Sequence, residues 1–281
     1  MTTKNRGLAG KRALVTGSGT GIGREVALEF ARQGADVVLH YSHSSAGAKS
    51  AAEEIRAMGR RAEAFQADFD SAEEAAGLGD RAIDFLGGVN CLVNNAGITF
   101  ARPFLDVSQE QFDRLFHVNI RAQFFLTQRI VEHMLDADGG VICNISSIHG
   151  MAGAPDYTLY SVTKGAIIAY TRALAVEFAH KGIRINAIAP GWVTVENYAK
   201  AVPDYDPEEE QRAAEQLIPV GRPGDPIDIA NLAAFLCSDA AGFIVGQTIV
   251  ADGGSTALLS LDTDSWAQTT ARWGIGYVPG V

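Results

Sequence analysis

The chain has 281 residues, 47% hydrophobic and 20% charged, with a mean hydropathy of +0.05. This is the composition of a soluble globular protein with a sizeable core, and it excludes disorder over most of the length. Thirty-three acidic against 23 basic side chains leave a net charge of -10, a field that repels the phosphates of nucleic acid and anionic membrane surfaces.

No apolar segment follows the basic Lys4 and Arg6, and no apolar run approaches the length of a membrane span. Cys91, Cys143 and Cys237 match no metal-ligand spacing and read as small buried hydrophobes. A cytoplasmic protein without a metal is expected. Short β-branched runs then alternate with helical periodicity. Strands are predicted at 13–16, 37–40, 62–67, 91–93, 141–145, 184–189 and 247–251, and helices at 21–33, 46–58, 71–85, 109–116, 121–135, 158–179 and 226–237. The first helix carries Ile22, Val26, Leu28 and Phe30 at helical spacing and stops at Gly34. Such alternation predicts an α/β fold, a doubly wound parallel sheet of seven strands with helices on both faces. The stretch 194–219, with Pro203, Pro207 and the acid run Glu208, Glu209, Glu210, breaks the rhythm and reads as a loop over a site. One domain is expected over 1–254, followed by an extension at 255–281.

Directly after the first strand comes Thr16-Gly17-Ser18-Gly19-Thr20-Gly21-Ile22-Gly23. Glycines between a strand and an amphipathic helix let the backbone turn tightly and approach a pyrophosphate, which then rests on the free N–H groups of the helix. Downstream follow Asn94-Asn95-Ala96-Gly97, Ser147, Tyr160-Ser161-Val162-Thr163-Lys164 and Pro190-Gly191. Tyr160 and Lys164 are four apart on a helix and so share a face. A phenol titrates near about 10, too high for a base at neutral pH, unless a neighbouring cation favours phenolate.

With these five motifs in order, the chain resembles the short-chain dehydrogenase/reductase family from about Leu8 to Gly254. The resemblance implies a single-domain Rossmann-type fold, a nicotinamide dinucleotide and hydride transfer at an alcohol or carbonyl carbon. It makes Tyr160 the general acid/base, with Lys164 lowering its pKa and binding the nicotinamide ribose. Ser147, with Ser146 beside it as a competitor, would hold the reacting oxygen, and Asn119 a water leading to the lysine. Cofactor contacts are implied for Gly17, Ser18, Gly19, Thr20, Gly21, Ile22 and Gly23. They are also implied for His40, Tyr41, Ser42 and His43 after the second strand, and for Ala67, Asp68 and Phe69 after the third. Asn95, Ala96, Gly97, Tyr160, Lys164, Pro190, Gly191, Val193 and Thr194 complete the set.

No acid follows the second strand to pair with the ribose diol of NAD, which points to NADP as the preferred cofactor with NAD accepted. His40, Ser42 and His43 could hold its phosphate. Substrate contacts are expected from Arg102, Ser147, His149, Asp156, Trp192 and Asn197, a polar set that resembles the sugar dehydrogenases of the family, such as the aldose 1-dehydrogenases. A β-ketoacyl thioester reductase is the competing reading, and the acidity of the 194–219 loop argues against a bulky apolar alcohol. A non-catalytic dinucleotide-binding sensor is the alternative of another class. The family also implies a homo-oligomer, a tetramer, with Trp266, Trp273 and Tyr277 of the extension packed on a neighbouring subunit or on their own domain.

Overall fold

Residues 7–137, 139–196 and 205–258 are described by a computed structural model. Seven strands, β1 (Arg12–Val15), β2 (Asp36–Tyr41), β3 (Ala62–Gln66), β4 (Cys91–Asn94), β5 (Gly140–Ile145), β6 (Ile183–Pro190) and β7 (Thr248–Ala251), form one parallel sheet in the order β3-β2-β1-β4-β5-β6-β7. All seven lie where the β-branched runs predict them. The central strands are buried on both faces, which is why they read as continuous apolar runs rather than as alternation.

Helices α1 (Gly21–Arg32), α2 (Ser45–Ala57), α3 (Ala72–Leu86), α4 (Gln109–Phe116), α5 (Ala122–Leu135), α6 (Thr158–Phe178), α7 (Pro207–Leu217) and α8 (Pro226–Cys237) cover the sheet. One core layer joins Val26, Phe30 and Ile55 with Ile229 and Leu236; the other joins Leu78, Leu126 and Ile130 with Leu14, Leu92 and Ile142. Helix α1 ends as its sequence predicts. Gly34 adopts a left-handed φ of 98°, and the Gly34 and Ala35 N–H groups donate back to Ala31 and Phe30 carbonyls. The three cysteines meet in the interior: all are buried, with Cys237 at the end of α8 in side-chain hydrogen-bond contact with Cys91 of β4 and Cys143 of β5.

Helix α7 is a correction, since its residues fall in the stretch read as a loop. Pro207 sits at the first helical position and Asp206 caps the helix, accepting from Glu208 N at 2.8 Å. A proline at N1 and acids in the first turn start a helix because they suit its unpaired N–H groups and its dipole.

Two sequence-distant connections meet where the strand order reverses, between β1 and β4. The chain leaves β1 toward β2 on one side, and enters the other half of the sheet through β4 and β5. The gap between these diverging connections, at the carboxyl ends of the strands, is where open α/β sheets take ligands. Both the glycine turn after β1 and Asn95–Gly97 after β4 emerge there. No helix among the described residues is long and apolar enough to cross a membrane.

Candidate active site

The glycine turn is held by side chains from both neighbouring strands. Thr16 Oγ1 accepts from Asn95 N at 2.9 Å and from Ala96 N at 3.0 Å, and Asn95 Nδ2 donates to Thr16 O at 2.9 Å. Ser18, fully buried, donates to Val15 O at 2.8 Å and accepts from His40 N at 3.0 Å, so its hydroxyl serves the turn itself. A Cβ on Gly17 would sit 2.8 Å from Ala96 Cα, and one on Gly19 2.6 Å from Ser44 O. Only glycine allows these approaches.

A cleft of about 320 Å³ opens above the turn. It is lined by Gly17, Gly19, Thr20, Gly21, Ile22, His40, Tyr41, Ser42, His43, Phe69, Asn95, Ala96 and Gly97. Ser44, Ile98, Val118 and Val195 line it too and escaped the sequence reading; Ser44, directly before a helix, carried the signal of a cap. The Thr20 hydroxyl is buried without a partner, and α1 has no acid in its first turn. Free N–H groups, glycine cradle and orphan hydroxyl together fit the pyrophosphate of a dinucleotide. Asp68 is exposed, with its carboxylate accepting from Asp70 N at 3.0 Å. A larger cleft of about 700 Å³ lies against the outer faces of α3 and α5, away from every motif.

His40 is not free to hold a phosphate. Its Nδ1 accepts from Gly17 N at 3.1 Å, leaving Nε2 to donate to Ala67 O at 3.1 Å, and its ring stacks on Phe69 at 4.1 Å. Burial lowers its pKa to about 4 from 6.5. The unfolded chain takes up this proton near pH 6.5 and the folded chain only near 4, so stability is full above this window and is lost as pH falls through it. The loss reaches about 3 kcal/mol at 1.36 kcal/mol per unit. Urea unfolding at about pH 7 and 4.5 is expected to show that drop in the native chain and a smaller one in His40→Gln.

At the end of β5 the two serines separate. Ser146 Oγ donates to Lys164 O at 2.8 Å, whereas Ser147 is in side-chain hydrogen-bond contact with Tyr160 and accepts from His149 N at 3.2 Å. Tyr160 and Lys164 occupy one face of α6. Lys164 Nζ donates to Ile145 O at 3.1 Å and lies 5.6 Å from the Tyr160 ring centroid. Asn119 sits in a π-helical turn, His117–Arg121, joining α4 to α5. Its Oδ1 accepts from Ile98 N at 2.8 Å, and its Nδ2 donates to Ile98 O at 3.0 Å and Thr163 Oγ1 at 3.2 Å. Gly97 lies beside Asn119 and the lysine, where a Cβ would come within 3.2 Å of Asn119 Oδ1 and 3.7 Å of Lys164 Nζ.

The expected lowering of the Tyr160 pKa by Lys164 is not what the protein alone produces. Burial raises the phenol pKa, opposed by the Ser147 hydrogen bond, while the buried ammonium of Lys164 is itself weakened to about 8 from 10.5. Between those two values the unfolded chain holds a proton that the folded chain has released, so stability rises with pH there. A gain of about 2 kcal/mol between pH 8 and 9.5 is expected in chemical unfolding. Lys164→Met should abolish it.

Around this group the structure gathers an aromatic corner. The His149 ring lies 4.5 Å from Tyr157 and 5.6 Å from Tyr160, and burial lowers the His149 pKa. Tyr157, one turn before Tyr160, was missed by sequence reasoning. Arg102 N donates to Asp156 O at 2.8 Å, which brings two exposed polar residues to one rim. Gly191 packs on Asp252, where a Cβ would lie 2.7 Å from its Cα, and Val193 bridges to Gly224. Trp192 Nε1 and Thr194 Oγ1 both donate to Glu210 Oε1, at 2.9 and 2.8 Å. Glu210 is therefore turned inward while Glu208 faces solvent, so the acid run does not present one uniform charged face. Asn197 and the extension beyond Leu258 lie outside the described residues.

Comparison with known proteins agrees with this geometry. A family model described as enoyl-(acyl carrier protein) reductase matches residues 17–256. The chain is 37% identical over 262 residues to versicolorin reductase 1 of Dothistroma septosporum, covering 91% of this chain and 99% of that one. It is 39% identical over 259 residues to the hydroxynaphthalene reductase-like protein Arp2 of Metarhizium anisopliae, covering 89% and 96%. Among solved structures, 7α-hydroxysteroid dehydrogenase complexed with NADH and 7-oxo glycochenodeoxycholic acid superposes with a TM-score of 0.83 at 37% identity, covering 90% of this chain and 98% of that one. The chain belongs to the short-chain dehydrogenase/reductase family, oxidoreductases that use a nicotinamide dinucleotide on alcohol and carbonyl groups.

Proposed function

We propose that the protein reduces a ketone on a hydroxylated ring compound, reversibly, with NADPH as the preferred reductant and NADH accepted. The observation that carries this reading is the aromatic corner of Tyr157 and His149 beside the Tyr160–Ser147 pair. Its flat faces suit a planar or bicyclic substrate, and the relatives named for versicolorin and hydroxynaphthalene reduction point the same way. A dinucleotide, when bound, supplies the hydride. Tyr160 gives its proton to the substrate oxygen, Ser147 holds that oxygen, and Lys164 with Asn119 supports the proton path. Burial raises the pKa of Tyr160, so the phenol carries the proton that it gives to the substrate oxygen.

Support for NADP comes from α2. Its N-terminal turn packs on the glycine turn, where a Cβ on Gly47 would meet Gly19 O at 2.0 Å, and it has no acid in its first turn. The start of this helix, with Ser44 and His43 beside the glycine turn, is suited to an anion, which supports the 2′-phosphate reading. A sugar or polyol carbon is the second reading, favoured by the polar rim of Arg102 and Asp156. Exposed Phe124, Phe125 and Val176 on α5 and α6 suit contacts between copies, and a cytoplasmic homotetramer is the assembly we propose.

The test is cofactor absorbance with purified protein. NADPH and NADH are each offered a hydroxylated bicyclic ketone and acetoacetyl thioester, and the oxidised forms are offered aldoses. Oxidation of NADPH by the bicyclic ketone is expected. Turnover with aldoses alone transfers the assignment to a sugar dehydrogenase, turnover with the thioester alone to acyl reduction, and silence throughout leaves a dinucleotide-binding sensor.

A further inference from the structure

Glu210 is a carboxylate with only 9% of its surface exposed, and no motif called for it. Three donors converge on it. Trp192 Nε1 and Thr194 Oγ1 reach Oε1 at 2.9 and 2.8 Å, and the Tyr205 hydroxyl reaches Oε2 at 2.5 Å. Charge-assisted hydrogen bonds of this kind are about twice as strong as neutral ones. The carboxylate therefore fixes the direction of each donor's hydrogen.

For Thr194 that direction has a chemical consequence. A hydroxyl carries one hydrogen and two lone pairs. With its hydrogen committed to Glu210, Thr194 presents only acceptor capacity on its remaining side. We propose that Glu210 is a positioning residue that makes Thr194 an obligate acceptor, so that the site selects the amide N–H₂ of the nicotinamide carboxamide and thereby sets which way that group is turned. The inference rests on the reading above that Thr194 contacts the dinucleotide, taken here to be at its carboxamide. It adds the residue that decides the polarity of the contact.

The probe is the dinucleotide's 3-acetylpyridine analogue, which keeps the carbonyl oxygen but replaces the N–H₂ donor by a methyl group. Dissociation constants of both reduced dinucleotides are measured by fluorescence, without turnover. The native protein is expected to bind the natural dinucleotide about tenfold more tightly than the analogue, the worth of one hydrogen bond. Glu210→Met has no acceptor and frees the Thr194 hydroxyl to donate to the carbonyl oxygen that both dinucleotides keep, so the preference should fall well below the native value. Glu210→Gln keeps an acceptor oxygen toward Trp192 and Thr194 and offers its amide hydrogens to the Tyr205 oxygen, so it should restore the preference.

A purely structural role would weaken both dinucleotides equally and leave the ratio unchanged. Retention of the native ratio in Glu210→Met, or no preference in the native protein, overturns the inference while leaving the functional reading intact. Thr194→Val provides a test independent of whether Glu210→Met folds: it should also abolish the ratio, and a native ratio there equally overturns the inference. Failure to bind either dinucleotide overturns both the inference and the reading on which it rests.

Discussion

Replacing Tyr160 by Phe is expected to lower kcat by about 10²–10⁴-fold, the usual contribution of a general acid/base, with dinucleotide affinity unchanged. Ring packing survives the substitution, since the ring itself meets His149, at 5.6 Å between ring centroids, and Lys164 Nζ, at 5.6 Å from its centroid. What is lost is the O–H and its hydrogen bond with Ser147. Steady-state turnover together with fluorescence titration of the dinucleotide separates the two effects. Unchanged turnover would remove Tyr160 from the chemistry and shift the acid/base role elsewhere.

The second large effect is expected at Gly23. A Cβ there would lie 2.3 Å from both Asn95 Nδ2 and Gly17 O. Asn95 cannot simply retreat, because its amide also donates to Thr16 O at 2.9 Å and Gly17 O at 3.2 Å. Gly23→Ala must therefore open the joint between the glycine turn and the β4 connection. The expected cost is about 1–3 kcal/mol of stability, typical of overpacking. The rise in Tm that a saturating dinucleotide gives the native protein should largely disappear, since ligand stabilisation depends on an intact site. A variant that kept this rise would show that the joint is not needed for the cleft.

These two residues also show what is legible in a single sequence. Gly23 and Tyr160 belong to short patterns in which the spacing carries the physics: glycines at every second position across a turn, and a tyrosine and a lysine four apart along a helix face. All seven strands were legible for the same reason, being short apolar runs between helices of clear period. Helix α7 was not, because prolines and an acid run look like a break until the proline is seen to occupy the first helical position. His40 and Glu210 were misread for a different reason. Each polar side chain turns inward to partners far away in sequence, His40 to Gly17 and Ala67, and Glu210 to Trp192 and Thr194. Composition shows polarity but not which way it points.

The cysteines have a consequence of their own. Cys91, Cys143 and Cys237 come together in the interior from β4, β5 and the end of α8, and none reaches solvent. A thiol reagent can reach them only when the sheet and α8 part, so labelling acts as a clock for opening of the core. At low reagent the modification rate reports the population of open molecules, and at high reagent the rate of opening itself. The protein thus carries a built-in gauge of its own breathing, readable by mass as three additions to one molecule, without any substitution.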